Sequence, residues 1–316
     1  MKAELLNGAL LLTALAGSVA GAMWAAPPAA EVTGSVSTAQ STAALTEVVD
    51  GRGIAVPVAD YQRIVSLHMV ADHLLLELVE PSRLVAITEA NVAGNSEGWR
   101  FSAQIPIGQN NRLEAILRAQ PDLVIVSNFV DAALLARLEE EGIPTFDLGG
   151  MYGLESTRED IRLLSQLVGA PARGDALLRS LDLQERALEL AVPPDQRIDG
   201  IYLSVIGDAW YGGTQGTSYG DMLRLSGIHD VAADAGHQMW PRYSAEDLLA
   251  LDPPLILAPS GSTPTICRHS ILEQLRACHE GGRIVELPPS YPNDPGLGVL
   301  KTAQELQPRV HPRSPQ

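Results

Sequence analysis

A helix-then-strand pattern occurs twice in this chain and constrains its fold more than any other feature. The first copy covers residues 112–126 and the second covers residues 244–258. In each copy a glutamate opens an amphipathic segment, a proline follows seven positions later, and several consecutive aliphatic residues come next. Proline cannot continue a helix, and an uninterrupted aliphatic run is typical of a parallel strand that is buried on both faces. The repeat therefore predicts two similar lobes, each with its own parallel sheet.

Alternating strands and helices surround both copies. The further predicted strands are residues 64–67, 83–87, 142–148, 201–205 and 283–287. The further predicted helices are residues 70–79, 131–141, 157–191 with a break at 169–171, 219–226, 271–277 and 301–306. The second half of the segment 157–191 would be about 30 Å long as a helix, which is enough to join two lobes. Alternation with short connections predicts parallel sheets covered by helices.

The first 49 residues differ in composition from the rest. Residues 1–26 contain Lys2 and a long apolar run, which is typical of a signal peptide but could also remain as a membrane anchor. Residues 27–49 are rich in Ala, Ser, Thr and Pro and are predicted to be a flexible linker. We therefore expect an exported protein of the periplasm or another extracytoplasmic location, membrane-anchored if the signal is uncleaved. The remaining domains are predicted as an N-terminal α/β lobe at 50–170, a linking helix at 171–192, a C-terminal α/β lobe at 193–308 and a tail at 309–316.

Charge and missing motifs exclude several classes of function. The formal net charge is −16, with 22 basic and 38 acidic residues and no basic run, which argues against binding of nucleic acid. The glycine-rich segment at 212–220 lacks the lysine of a phosphate-binding loop and is better interpreted as a strand-to-helix loop. No serine-nucleophile elbow and no H-E-x-x-H zinc motif occurs. Nothing in the sequence demands catalysis.

Cysteine and histidine residues leave alternatives open. Cys267 and Cys278 could form a disulfide, remain buried thiols or, with neighbouring histidines, bind a metal. If the intervening residues were all helical, their α-carbons would be about 16 Å apart, whereas a disulfide needs about 4.4–6.8 Å. His68 follows the first strand and could contact a ligand or a metal, but it could also be a polar loop residue. Because metal ligands at recognisable spacing are missing, we expect no metal site.

The chain resembles the periplasmic binding proteins of ABC importers that take up cobalamin and ferric siderophores. The resemblance covers about residues 61–306 and is carried by residues 63–67, 113–116 with 121–125, 142–144, and 244–249 with 252–253. It implies an α/β fold of two Rossmann-like lobes with parallel sheets joined by one long inter-lobe helix. It also implies a monomeric binding protein and not an enzyme, an ABC importer permease as partner, a small-molecule metal chelate as ligand, and no cofactor.

Two glutamates have a role that the resemblance implies. Relatives use one glutamate in each lobe to contact arginines of the permease, and these positions match Glu114 and Glu246. A carboxylate near a helix N-terminus is stabilised by the helix dipole and stays free to pair with a guanidinium. Glutamates are also common simply as helix-starting residues. The occurrence of both at equivalent places in the repeat favours docking.

The ligand is expected at the carboxyl edges of both sheets, facing a cleft between the lobes. Flat aromatic side chains suit a corrin ring or a bulky chelate, and arginines could neutralise an anionic siderophore. A tryptophan in a loop could instead fill a lobe core. The candidate ligand-binding residues are His68, Trp99, Arg100, Asn128, Trp210, Tyr211, Trp240 and Arg242.

Three other functions are compatible with parts of this pattern. A haem-binding protein of the same fold would use His68 or a cleft tyrosine as axial ligand. A transferase with two Rossmann-like lobes would bind a sugar nucleotide, although the chain lacks a basic or glycine-rich diphosphate site. A carrier of free zinc or manganese would need three or four converging ligands that the sequence does not display.

Overall fold

Two parallel β-sheets lie at the centres of two lobes, which confirms the prediction from the repeat. The structure is a computed structural model that describes residues 45–92, 97–108, 112–289, 291 and 294–312. The predicted signal or anchor at 1–26 lies outside these residues. Within the part of the chain that is described, no helix is both long enough and apolar enough to cross a membrane.

The first lobe contains a five-stranded sheet and four helices. Its strands are β1 (Glu47–Val49), β2 (Ala55–Pro57), β3 (Ile64–Ser66), β4 (Leu84–Thr88), β5 (Ile105–Ile107), β6 (Leu123–Val126) and β7 (Thr145–Asp147). Its helices are α1 (Met69–Leu78), α2 (Arg112–Ala119), α3 (Ala132–Glu140) and α4 (Leu154–Leu167). The sheet has the order β5-β4-β3-β6-β7 and is parallel throughout, and β1 and β2 form a separate antiparallel pair.

The helix α5 (Pro171–Ala191) leads into the second lobe. Its strands are β8 (Ile198–Tyr202), β9 (Ser204–Ile206), β10 (Ala209–Tyr211), β11 (Ile228–Asp230), β12 (Arg242–Tyr243), β13 (Leu255–Ala258) and β14 (Arg283–Glu286). Its helices are α6 (Ser218–Leu225), α7 (Val231–Asp234), α8 (Ala245–Leu251), α9 (Thr263–Cys267) and α10 (Gly298–Val310). The parallel sheet has the order β11-β8-β13-β14, and β12, β10 and β9 form a small antiparallel sheet.

In each parallel sheet, the order in which the chain adds strands reverses at one point. The chain adds strands on one side of β3 and then on the other side, starting with β6. In the second sheet it does the same around β8, with β13 on the opposite side. In open parallel sheets, loops diverge at the carboxyl ends of such a strand pair and leave a crevice. The fold therefore places one crevice beside β3 and β6 and another beside β8 and β13.

The two copies of the repeat have the local structure that their sequences predict. All residues of β6 and β13 are buried, as an unbroken aliphatic run requires. The residue between each preceding helix and its proline has a left-handed backbone, with φ of 48° at Gln120 and 35° at Asp252. Asp252 is held there because its carboxylate accepts a hydrogen bond of 2.8 Å from the backbone N–H of Arg276.

Charged side chains connect helices of both lobes to α5. Glu185 on α5 pairs with Arg158 on α4 and, at 2.6 Å, with Arg224 on α6. Arg224 also binds Asp221 at 3.0 Å. The other carboxylate oxygen of Asp221 accepts a hydrogen bond of 2.7 Å from the backbone N–H of Leu154, the first residue of α4. A carboxylate of the second lobe thus caps a helix of the first lobe.

Gly153 makes this cross-lobe cap possible. It precedes α4 at φ +90° and has no side chain with which to cap the helix itself. A β-carbon at this position would lie 2.4 Å from the carboxylate oxygen of Asp221. Glycine is therefore required both by its left-handed backbone and by the close approach of Asp221.

Three local expectations differ from the structure. The predicted helix at 271–277 is replaced by two short 3₁₀ turns, Leu272–Gln274 and Arg276–Cys278. The chain therefore doubles back, and Cys267 and Cys278 form a disulfide with α-carbons 5.5 Å apart. The helix α10 continues past Pro308 into the predicted tail because Val310 is fully buried. The strand β1 begins inside the predicted linker, where Val48 packs into the core.

Loss of the disulfide should destabilise the second lobe. Replacing both Cys267 and Cys278 by serine is expected to lower the free energy of unfolding by about 2–3 kcal/mol, because the bridge restricts a short loop of the unfolded chain. Urea denaturation of oxidised parent and double variant measures the difference. Reduced parent should match the variant, and a parent that loses no stability on reduction contradicts the expectation.

Candidate functional site

A chamber of about 520 Å³ lies at the carboxyl edge of the first sheet, beside β3 and β6. The residues that follow β3, β4, β5 and β6 form its walls, and Met151, which follows β7, closes one side. Its volume is in the range of small-molecule sites in proteins. The location agrees with the crevice that the strand order predicts.

His68 lies in the wall of this chamber and caps α1. Its ring nitrogen Nδ1 accepts a hydrogen bond of 3.2 Å from the backbone N–H of Ala71. Because the side chain is buried, the pKa of His68 falls to about 4, and the ring is neutral near pH 7. A neutral ring that accepts at Nδ1 carries its proton on Nε2, which has no hydrogen-bond partner among the described residues. His68 is thus a buried donor, and coordination of a metal through Nε2 would require it to give up the cap.

Arg112 also lies in the chamber wall, at the first residue of α2. Its side chain is partly buried, and burial lowers the pKa of the guanidinium. Its Nε atom is fully buried and has no hydrogen-bond partner within the described residues. Sequence reasoning missed this residue because the strand before it, β5, is only three residues long and contains a proline.

A buried carboxylate on α1 holds part of the chamber wall in place by hydrogen bonds. Asp72 on α1 accepts hydrogen bonds from the backbone N–H of Thr88 at 3.0 Å, from the Thr88 hydroxyl at 2.7 Å and from the Asn91 amide at 2.8 Å. Burial raises the pKa of Asp72 to about 7, although these hydrogen bonds oppose the rise. The hydrogen bonds of Asp72 fix the end of β4 and the segment after it against α1. Thr88, at the end of β4, and Glu89, which follows it, line the chamber.

Exposed aromatic rings occur at the edge of the chamber and at a contact between the lobes. Tyr152 follows Met151 in the first lobe, and its ring centroid is 5.9 Å from that of Trp240 in the second lobe. Trp240 is 45% exposed, and Phe129 at the chamber edge is 77% exposed. These rings offer flat apolar surface to a ligand. Tyr152 was missed in the sequence because its proximity to Trp240 is created by tertiary packing.

The other candidate ligand-binding residues occupy different places. Trp99 is 73% exposed outside the chamber wall, and Arg100 pairs with Glu77 at 2.7 Å. Asn128 is exposed beside the chamber residue Ser127. In the small antiparallel sheet, Trp210 packs edge-on against His269 with ring centroids 5.2 Å apart, Tyr211 is half-buried and Arg242 is exposed.

Glu114 and Glu246 lie in equivalent positions of the repeat. Both side chains are exposed in the first turns of α2 and α8. In α8 the backbone amide of Ser244 donates to Asp247 at 2.8 Å, while the Ser244 hydroxyl accepts from the Asp247 amide at 3.1 Å. This reciprocal cap is made without Glu246, whose carboxylate therefore remains free of a capping role.

The described part of the chain contains no cluster of side chains that could hold a metal ion. No set of three or more His, Cys, Asp or Glu side chains there is placed to hold a metal ion. The two cysteines are consumed by the disulfide.

Comparisons with known proteins agree with this architecture. A family described as periplasmic binding protein matches residues 64–289. A cobalamin-binding protein of Halobacterium salinarum is 22% identical over 259 residues, which cover 79% of this chain and 69% of that protein.

Solved structures show the same fold. A possible iron-binding periplasmic solute-binding protein of Staphylococcus epidermidis superposes with a TM-score of 0.69 at 16% identity, covering 80% of this chain and 100% of that one. The periplasmic haem-binding protein HutB of Vibrio cholerae gives 0.67 at 20% identity, covering 79% and 99%.

Proposed function

This chain belongs to the periplasmic binding protein family, and from that membership we propose that it captures a metal chelate and delivers it to the permease of an ABC importer. It is a binding protein and not an enzyme. The proposed ligand is a ferric siderophore or a corrinoid, held in the chamber of the first lobe and against Trp240 of the second lobe. The proposed location is the periplasm or another extracytoplasmic space, reached by a signal peptide in residues 1–26.

The observation that carries this proposal is the combination of the chamber with aromatic surface from both lobes. A chamber of about 520 Å³ accepts part of a bulky chelate, and the rings of Tyr152 and Trp240 extend its apolar surface toward the second lobe. The cobalamin-binding relative in Halobacterium salinarum supports a ligand of this size and shape. The described residues offer no metal site of their own, which favours a ligand whose metal is already chelated.

The alternatives have less support. Haem ligation through Nε2 of His68 would compete with the hydrogen bond that Nδ1 accepts from the backbone N–H of Ala71, because ligation needs the proton on Nδ1 and the hydrogen bond needs it on Nε2. The sugar-nucleotide transferase is not favoured, because the chain belongs to a family of binding proteins.

Glu114 and Glu246 are proposed as the permease contacts, one from each lobe. Both are exposed, and neither forms an ion pair within the described residues. An incoming arginine could therefore pair with each carboxylate without first breaking an existing interaction. Since the two glutamates lie on different lobes, a change in lobe separation on ligand binding would alter their spacing, which a permease could detect.

Fluorescence titration tests the proposed function directly. The full chain contains four tryptophans, and we propose that Trp240, whose ring contacts that of Tyr152, also contacts the chelate. Cobalamin, several ferric siderophores and haem should be titrated in parallel, with corrections for their absorbance. Saturable quenching by one chelate is the expected result and identifies the ligand. Absence of saturable binding by all of them overturns the proposal.

Trp240→Ala should weaken binding of that chelate by about 1–3 kcal/mol, because an exposed ring that stacks on the ligand is lost. The measurement is the dissociation constant from isothermal titration, which does not depend on tryptophan signal. Trp99→Ala is the matched control, since Trp99 is more exposed and, unlike Trp240, makes no ring contact with Tyr152. Equal affinities of Trp240→Ala and parent would remove Trp240 from the site.

A further inference from the structure

We propose that the bound chelate is anionic and that Arg112 pairs with its negative charge, an inference that rests on the function proposed above. Arg112 lines the chamber, and among the described lining residues it is the one with a positively charged side chain. The two arginines that were expected from the sequence to neutralise a ligand lie outside the chamber wall. Arg100 is paired with Glu77, and Arg242 is on the small antiparallel sheet.

The environment of Arg112 differs from that of other partly buried arginines. Arg100, Arg158 and Arg224 each lie within ion-pair distance of at least two carboxylates. Arg112 forms no ion pair within the described residues, and its buried Nε has no acceptor there. A partly desolvated guanidinium without a partner is unfavourable, so an acceptor supplied by a ligand would recover the lost interaction.

His68 complements Arg112 without adding charge. It is neutral near pH 7 because its pKa lies at about 4, and the proton on Nε2 makes it a donor with no acceptor among the described residues. The chamber therefore presents one charged and one neutral donor that have no acceptor among the described residues. Oxygen acceptors such as carboxylates match both donors, and a carboxylate can bind the guanidinium through two parallel hydrogen bonds.

Two carboxylates in the wall define where the negative charge can lie. Glu89 and Asp131 both line the chamber. Asp131 caps α3 by accepting a hydrogen bond of 3.0 Å from the backbone N–H of Ala133, which keeps its charge in place. An anionic group of the ligand is repelled by these carboxylates and attracted by Arg112, so a single orientation is favoured.

The test compares anionic and neutral members of the same chelate class. The probes are ferric protoporphyrin IX with its dimethyl ester, a ferric tricatecholate with a neutral ferric trihydroxamate, and a corrinoid monocarboxylate with cyanocobalamin. In the chelate class that binds, Arg112→Gln should weaken binding of the anionic member by about 10–100-fold and binding of the neutral member by less than about twofold. Arg112→Lys should lose less, because it keeps the charge but not the planar fork.

Arg197→Gln is the matched control, because Arg197 also has a buried Nε without a described partner but lies in the second lobe, outside the chamber wall. Arg197→Gln should leave the affinities for the anionic and for the neutral probe unchanged. Raising the salt concentration should weaken the anionic probe with the parent more steeply than with Arg112→Gln. Equal losses for anionic and neutral members, or no loss for either, overturn the inference.

Failure of the proposed function remains distinguishable from failure of this inference. If no chelate binds the parent, the proposed function fails, and citrate then serves as a metal-free anionic probe. Citrate should raise the midpoint of thermal unfolding of the parent and of Arg197→Gln but not of Arg112→Gln. No citrate effect, or the same effect on all three proteins, overturns the assignment of Arg112 as an anion-binding residue.

Discussion

Replacing Glu114 and Glu246 together by alanine should reduce chelate uptake to background, while the dissociation constant of the chelate changes by less than about threefold. The expected loss is large because two charge-assisted contacts to the permease would be removed, one from each lobe. Affinity should persist because neither residue lines the chamber. Uptake by proteoliposomes containing the permease and equilibrium binding to the isolated protein measure the two effects separately.

The control for this double substitution changes charge without touching the proposed docking sites. Glu139 and Glu280 are also exposed and form no ion pair within the described residues. Replacing both by alanine alters the net charge by the same amount and should leave uptake close to that of the parent. A large loss of affinity in the Glu114 and Glu246 variant, or normal uptake by it, contradicts the docking role.

Asp160→Asn should raise the free energy of unfolding by about 2–4 kcal/mol at pH 7. Asp160 lies on α4 with a side chain that is almost fully buried, and its Oδ2 has no hydrogen-bond partner among the described residues. Burial, helped by the nearby charge of Glu159, raises its pKa to about 8. Asparagine has nearly the same shape and is neutral without taking up a proton on folding, which the carboxylate must do at pH 7.

The raised pKa of Asp160 makes the free energy of unfolding of the parent depend on pH. Between the ordinary carboxyl pKa near 3.8 and the folded value of about 8, the folded state holds a proton that the unfolded state releases. The stability of the parent should therefore fall as the pH rises through this window, and Asp72 contributes in the same direction up to about pH 7. Asp160→Asn should flatten the slope and equal the parent near pH 3.

Urea denaturation at several pH values measures this effect. Glu159→Gln is the comparison on the neighbouring residue, and it should change stability by less than about 0.5 kcal/mol, because Glu159 is exposed and its charge is a smaller cause of the raised Asp160 pKa than burial. A variant that is no more stable than the parent at pH 7 would show that Asp160 is ionised at little cost in the folded protein.

The sequence predicts the parallel sheets well because their signals are local. The proline after each helix and the aliphatic runs at β6 and β13 determine where a helix stops and a buried strand starts. Strands of two or three residues, such as β5 and β12, are too short to show a period. Their signal comes from pairing with distant strands and is absent from the local sequence.

The candidate site is less predictable than the fold, for a different physical reason. The sequence places His68 at the carboxyl edge of the first strand, and the structure has it in the chamber wall. The missing partner of Arg112 and the contact of Tyr152 with Trp240 depend on which side chains meet in three dimensions. Residue type and spacing show that an arginine exists, but they do not show whether a carboxylate neutralises it.

The cap that Asp221 places on α4 makes the two lobes thermodynamically dependent on each other. The first turn of α4 exposes an amide that its own lobe does not satisfy, and the second lobe satisfies it at 2.7 Å. If the second lobe unfolds locally, α4 loses the hydrogen bond that caps its first turn. If α4 unfolds, the carboxylate of Asp221 loses the same hydrogen bond. The repeated sequences alone would suggest two independent halves, whereas this hydrogen bond links the stability of one half to that of the other.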